Sequence, residues 1–227
     1  MKPKGLDMLI RSAATALALA LVAVPAAMAQ EAATEETTAV SVDDVVLGVE
    51  DAPLTIVEYA SFTCGHCANF HANVFPDLKS EYIDTGKVRF IQRDVYFDAV
   101  GLWAGVLARC GGGDDRYYAV SDLLFTEQSA WLSGNSGDEI AGNLRRMGAR
   151  TGLTGEQMDA CWNDQQLVSD LVTTFQHHAG ADQIEGTPTF IINGEKVSNQ
   201  PYDGLKTVLD AKLAEADDFG PPRPGGS

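Results

Sequence analysis

The chain has 227 residues, 45% of them apolar, four cysteines and a formal net charge of −16. That length and apolar share suffice for a packed core and exclude wholesale disorder. The excess of acid makes a polyanionic nucleic acid an unsuitable partner.

Lys2, Lys4 and Arg11 precede an apolar run from Ala13 to Val24, and Ala27-Met28-Ala29 offers the small residues of a cleavage site. The pattern predicts a secretory signal peptide over residues 1–29, because the run is short for a membrane span and lacks a stop-transfer flank. Export would place the cysteines in an oxidising compartment. Residues 30–41, acidic and without periodicity, predict a disordered lead-in.

Residues 42–97 read as the first part of an α/β domain. Val45-Val46-Leu47 predicts a short strand, and Glu50-Asp51-Ala52-Pro53 a turn. Leu54-Thr55-Ile56-Val57-Glu58-Tyr59 is apolar on both faces apart from Thr55 and Glu58, which predicts a central strand covered on both sides. A segment beginning at Cys67 carries Phe70, Val74, Phe75 and Leu78 at helical spacing, with Pro76 expected to kink it. Gly86 closes that helix and Val88 to Arg93 forms the next strand, so the three elements predict a right-handed βαβ unit with parallel strands.

Residues 98–180 change to a helical period throughout. Ala99, Leu102, Trp103, Val106, Leu107 and Cys110 fall on one stripe, which Gly111-Gly112-Gly113 ends. Asp114 or Asp115 is expected to cap the following helix, while Ser136 with Glu139 and Thr154 with Gln157 fit capping boxes. Met158, Cys161 and Trp162 share a face, and Leu167, Leu171, Val172 and Phe175 mark one more helix. Residues 181–216 return to strands: Thr189 to Ile192, an Asn193-Gly194 turn and Lys196 to Ser198 predict a hairpin, followed by a helix after Pro201. Residues 217–227 predict a flexible tail. The order βαβ, helical block, ββα predicts one mixed sheet with helices on both faces and the block inserted into it.

The chemistry gathers at Cys64-Gly65-His66-Cys67, where a strand hands over to a helix. A helix N-terminus offers unpaired N–H groups and partial positive charge, which favour a thiolate. Cys64 is then the exposed nucleophile and Cys67 the resolving thiol, with His66 able to steady the Cys64 thiolate. A static disulfide or a metal half-site is the alternative, and Cys64, Cys67, His66 and His71 could together hold a soft metal such as Cu(I). Glu58, if its strand is central, is a buried carboxylate able to exchange protons with Cys67 through water; at a sheet edge it would reach solvent. For Thr187-Pro188 the default peptide bond is trans.

Glu58 to His71, followed by Gly186-Thr187-Pro188-Thr189-Phe190, resembles the DsbA-type thiol:disulfide oxidoreductases of the bacterial periplasm, members of the thioredoxin superfamily with a helical insertion. The resemblance implies a thioredoxin fold, with Cys64 and Cys67 as the redox pair, His66 tuning it, Glu58 as the buried carboxylate and Pro188 in cis beside the disulfide. Thr187 and Gly65 would face the substrate. It further implies no cofactor or metal beyond the redox-active disulfide, reduced and unfolded exported proteins as substrates, and a DsbB-type membrane oxidase as partner. The chain departs from many family members in having Gly65 in place of Pro. Gly-His is the dipeptide of eukaryotic protein disulfide isomerases, so a periplasmic isomerase or reductase is the alternative, and a copper-binding thiol chaperone a third reading. Against the isomerase, the dozen or so residues between the leader and the first strand leave no room for the dimerisation domain usual in periplasmic isomerases, and a monomer is expected. Of the three pairings four cysteines allow, 64–67 with 110–161 is the most economical, leaving Cys110 and Cys161 either as a structural disulfide or as two buried free thiols. Such a bridge would close a loop of about fifty residues and contribute about 4 kcal/mol.

Overall fold

Strand β2, Leu54–Ala60, lies at the centre of a five-stranded sheet of order β1-β3-β2-β4-β5, with β1 at Val45–Leu47, β3 at Val88–Asp94, β4 at Thr189–Ile192 and β5 at Glu195–Ser198. The computed structural model describes residues 42–219, so the predicted signal peptide, the lead-in and residues 220–227 of the expected tail lie outside the described residues. Strands β2 and β3 run parallel and every other pair is antiparallel. This is the mixed sheet of the thioredoxin fold.

Alternation along β2 assigns its side chains to two cores. Leu54, Ile56 and Ala60 join a large cluster with Phe62, Cys67, Phe70, Phe90 and Phe190. Val57 and Tyr59 point the other way, to Ile91, Val95, Phe175 and Ile184. Glu58 shares the parity of Ile56 and Ala60 and therefore enters the large core, with no exposed surface.

Helix α1, Gly65–Asn73, follows β2 and covers this face. Pro76 does more than kink its continuation. The helix stops at Val74 and restarts as α2, Phe75–Leu78, with Pro76 in the first turn, where a missing N–H costs no hydrogen bond. A π-helical turn, Lys79–Ile83, leads to Gly86 at φ +75° and on to β3.

Six helices occupy the stretch between β3 and β4: α3 Ala99–Arg109, α4 Asp114–Thr126, α5 Gln128–Trp131, α6 Gly137–Arg150, α7 Gly155–Asn163 and α8 Gln165–Ala181. The expected capping of α4 by an aspartate is not what forms. Gly111, Gly112 and Gly113 all adopt positive φ, so the turn runs through Gly113, which takes the cap position and leaves both aspartates in the first turn. The Asp114 carboxylate instead accepts the Val46 N–H at 3.1 Å, tying α4 to β1. Thr154 and Gln157 close a full capping box. Ser136 accepts from Glu139 N–H, but the Glu139 carboxylate turns to the Asn135 N–H, so that box is only half made.

The hairpin turns at Asn193-Gly194, both with positive φ, and Asn193 Oδ1 accepts the Thr55 N–H at 2.8 Å, binding the turn to β2. Helix α9, Tyr202–Phe219, continues past residue 216 into the expected tail. Among the described residues no helix is long and apolar enough to cross a membrane.

Candidate active site

Cys64 is the N-cap residue of α1, in extended conformation at the end of the Ser61-Phe62-Thr63 turn that leaves β2. Its N–H donates to the Ser61 carbonyl at 3.0 Å, and its own carbonyl accepts from Ala68 at 3.1 Å as the helix begins. The sulfur is half-buried and donates to the Thr187 carbonyl at 3.4 Å. Thr187-Pro188 is cis, with Pro188 buried, so the segment before β4 lies against the N-terminus of α1.

The two thiols, both free, sit in opposite environments. Burial pushes the Cys64 thiol up, but the neighbouring Thr187, the backbone N–H groups and the Cys67 side chain outweigh burial and hold it below its ordinary value. Those N–H groups belong to Cys67 and His66. The His66 side chain itself is exposed, so His66 acts on Cys64 through its backbone. Cys67 has no exposed surface. Burial first, and the Glu58 carboxylate second, push its thiol well above the ordinary value.

Glu58 lies on the central strand and not at an edge. One carboxylate oxygen is 2.9 Å from His71 Nε2 and the other, Oε1, is buried without a hydrogen-bond partner. His71 stacks on Phe125 of α4, ring centroids 4.0 Å apart. The four donors considered for a soft metal therefore do not converge: His66 faces outward and His71 is turned inward to Glu58. No cluster of three His, Cys, Asp or Glu side chains suited to a metal occurs among the described residues.

Two further contacts hold the loop, and neither has a signal in the sequence. Gln128 of α5 donates its amide to the carbonyls of Phe62 and Cys64, at 2.8 and 3.0 Å. Gly65 lies beside it; a Cβ at that position would stand 4.0 Å from Gln128 Oε1. Thr63 Oγ1 donates to Asp98, whose other oxygen accepts from Gly101 N–H as the cap of α3. Loop and insertion are thus pinned to each other at both Cys64 and Thr63. Cys110 and Cys161, far from this turn in sequence, are joined by a disulfide, with Cα atoms 5.8 Å apart.

A family model described as thioredoxin matches residues 40–211. A Rickettsia bellii protein named as a protein-disulfide oxidoreductase is 31% identical over 174 residues, covering 77% of this chain and 66% of the relative. The chain thus spans just under two thirds of that relative. Disulfide bond formation protein D of Bacillus subtilis is 25% identical, over 74% of this chain and 76% of its own length. The crystal structure of Wolbachia pipientis alpha-DsbA1 superposes with a TM-score of 0.73 at 30% identity, covering 78% of this chain and 94% of that one.

Proposed function

Since this chain belongs to the thioredoxin family and to its DsbA-type branch, we propose that it is a thiol:disulfide oxidoreductase that passes a Cys64–Cys67 disulfide to reduced, exported proteins in the periplasm. The observation that carries the reading is the asymmetry of the two thiols. A half-exposed Cys64 held below its ordinary value beside the Thr187 carbonyl is a good leaving and attacking group, and a buried Cys67 held above it is not.

The cycle follows from that asymmetry. A substrate thiolate attacks Cys64 Sγ, the Cys64–Cys67 bond breaks, and Cys67 takes up the electron pair and a proton. The second substrate thiolate attacks the substrate sulfur of the mixed disulfide, and Cys64 leaves as the stabilised thiolate. Because the reduced form is stabilised through Cys64, the disulfide is the stronger oxidant. Thr187 backbone atoms, next to the sulfur under attack, are placed to pair with an extended substrate segment, and Gly65 leaves the approach uncrowded. Glu58 serves Cys67 as the proton-exchanging carboxylate. A DsbB-type membrane oxidase would restore the disulfide.

The test is equilibration of Cys64/Cys67 with glutathione buffers. An oxidase of this kind is expected near about −120 mV, whereas a value near thioredoxin's about −270 mV would overturn the oxidase role and favour a reductase. An intermediate value near about −180 mV, that of protein disulfide isomerase, would assign the isomerase role instead.

A further inference from the structure

Glu58 cannot exchange a proton with water directly, since none of its surface is exposed. Among the described residues its one side-chain hydrogen-bond partner is His71, itself 3% exposed, which borders a groove of about 480 Å³ between the α1–α2 segment and α4, with Phe75, Pro76 and Ala119 among its walls. The Oε1 of the same carboxylate is buried without a hydrogen-bond partner among the described residues, and the Glu58 charge is felt by the Cys67 thiol. We propose that His71 connects Cys67 to solvent, the proton passing between Cys67 and Glu58, between Glu58 and His71, and between His71 and water in that groove. The inference rests on the oxidoreductase reading and deepens it.

The balance is simple. Attack of a substrate thiolate on Cys64 breaks the disulfide and leaves an electron pair on Cys67 Sγ; the Glu58–His71 pair supplies one proton to that sulfur and recovers one from the groove. Reoxidation returns the proton by the same route. The charged and titratable groups around His71 and along the groove are Glu58 from β2, Cys67 one turn away on α1, Lys79 from the π-helical turn, and Asp115, Tyr118 and Asp122 from α4. His71 acts through Glu58 and touches no reacting sulfur.

The experiment is rapid-quench measurement of mixed-disulfide formation and reduction with a dithiol peptide across pH, in light and heavy water. His71→Phe keeps a ring against Phe125 but carries no proton; it is expected to slow the proton-limited step about a hundredfold and to abolish its pH dependence and solvent isotope effect. His71→Ala should be rescued by free imidazole entering the groove. If neither variant folds, Ala119→Trp, which obstructs the groove while leaving Glu58 and His71 in place, should lower the rate and the isotope effect together. Wild-type rates and pH profile in His71→Phe, no imidazole rescue, or an unobstructed rate in Ala119→Trp would overturn the relay alone. A wild-type protein that exchanges no disulfide with the peptide would overturn the oxidoreductase reading with it.

Discussion

Cys64 and Cys67 are separated by two residues, yet one lies at the mouth of a helix N-terminus and the other beneath it, against a buried carboxylate. Their ionisation therefore pulls stability in opposite directions. Cys64 is held below its unfolded value, so the stability its thiolate gives the reduced fold grows as pH rises through the folded pKa, is complete above the unfolded thiol value of about 8.5, and is lost as pH falls. Cys67 is held above that value, so at still higher pH the unfolded chain ionises while the folded one does not, and stability declines. Urea denaturation of the reduced protein against Cys64→Ser should show a stability difference that widens with pH up to about 8.5. In the same reduced protein at neutral pH, iodoacetamide should modify Cys64 and leave Cys67 unmodified. Equal labelling of the two would contradict the asymmetry.

At the scale of elements, the reactive turn depends on a short helix 64 residues away. Gln128 of α5 satisfies the carbonyls of Phe62 and Cys64 as α1 begins, and the Thr63–Asp98 contact ties the same turn to the cap of α3. Gln128→Leu removes both bonds, leaving the Cys64 carbonyl with the Ala68 N–H alone and the Phe62 carbonyl without the amide. It should cost about 1–3 kcal/mol, read as a lower urea midpoint at unchanged m-value, and slow alkylation of Cys64. Unchanged reactivity would show that α5 merely packs there. Helix periods, the Asn193-Gly194 turn and the capping box at Thr154 were readable because each is a local signal. The Gln128 contacts were not, because a half-buried glutamine at a helix start looks like any surface polar residue until the turn it meets is in place.

Over the whole molecule, the insertion is closed on itself by Cys110–Cys161, which joins the end of α3 to α7 across 51 residues of sequence. Cys110→Ala with Cys161→Ala should reduce stability by about 4 kcal/mol on the chain-entropy account. In a Cys64→Ser, Cys67→Ser protein, mass spectrometry after alkylation should find Cys110 and Cys161 unmodified until reductant is added. Immediate modification would show two free thiols. Because the α3 cap and α5 of the same block hold the reactive turn, loosening the block should also reach Cys64.

Periodicity, turn chemistry and a short cysteine spacing are properties of neighbouring residues, so the strands, the longer helices, their order and the dithiol at a strand-to-helix handover were legible along the chain, whereas the four-residue α5 and the break between α1 and α2 were not. The sequence also carried the resemblance that named Glu58 and Pro188. Tertiary packing puts Glu58 on a central strand with His71 as its partner, sets the His66 backbone N–H beside the Cys64 thiol, and carries Thr187, 123 residues away, so that its carbonyl meets the Cys64 sulfur. The physical reason is that burial, the direction of a side chain and the pairing of a charge depend on what the fold brings alongside, and local pattern carries no record of that.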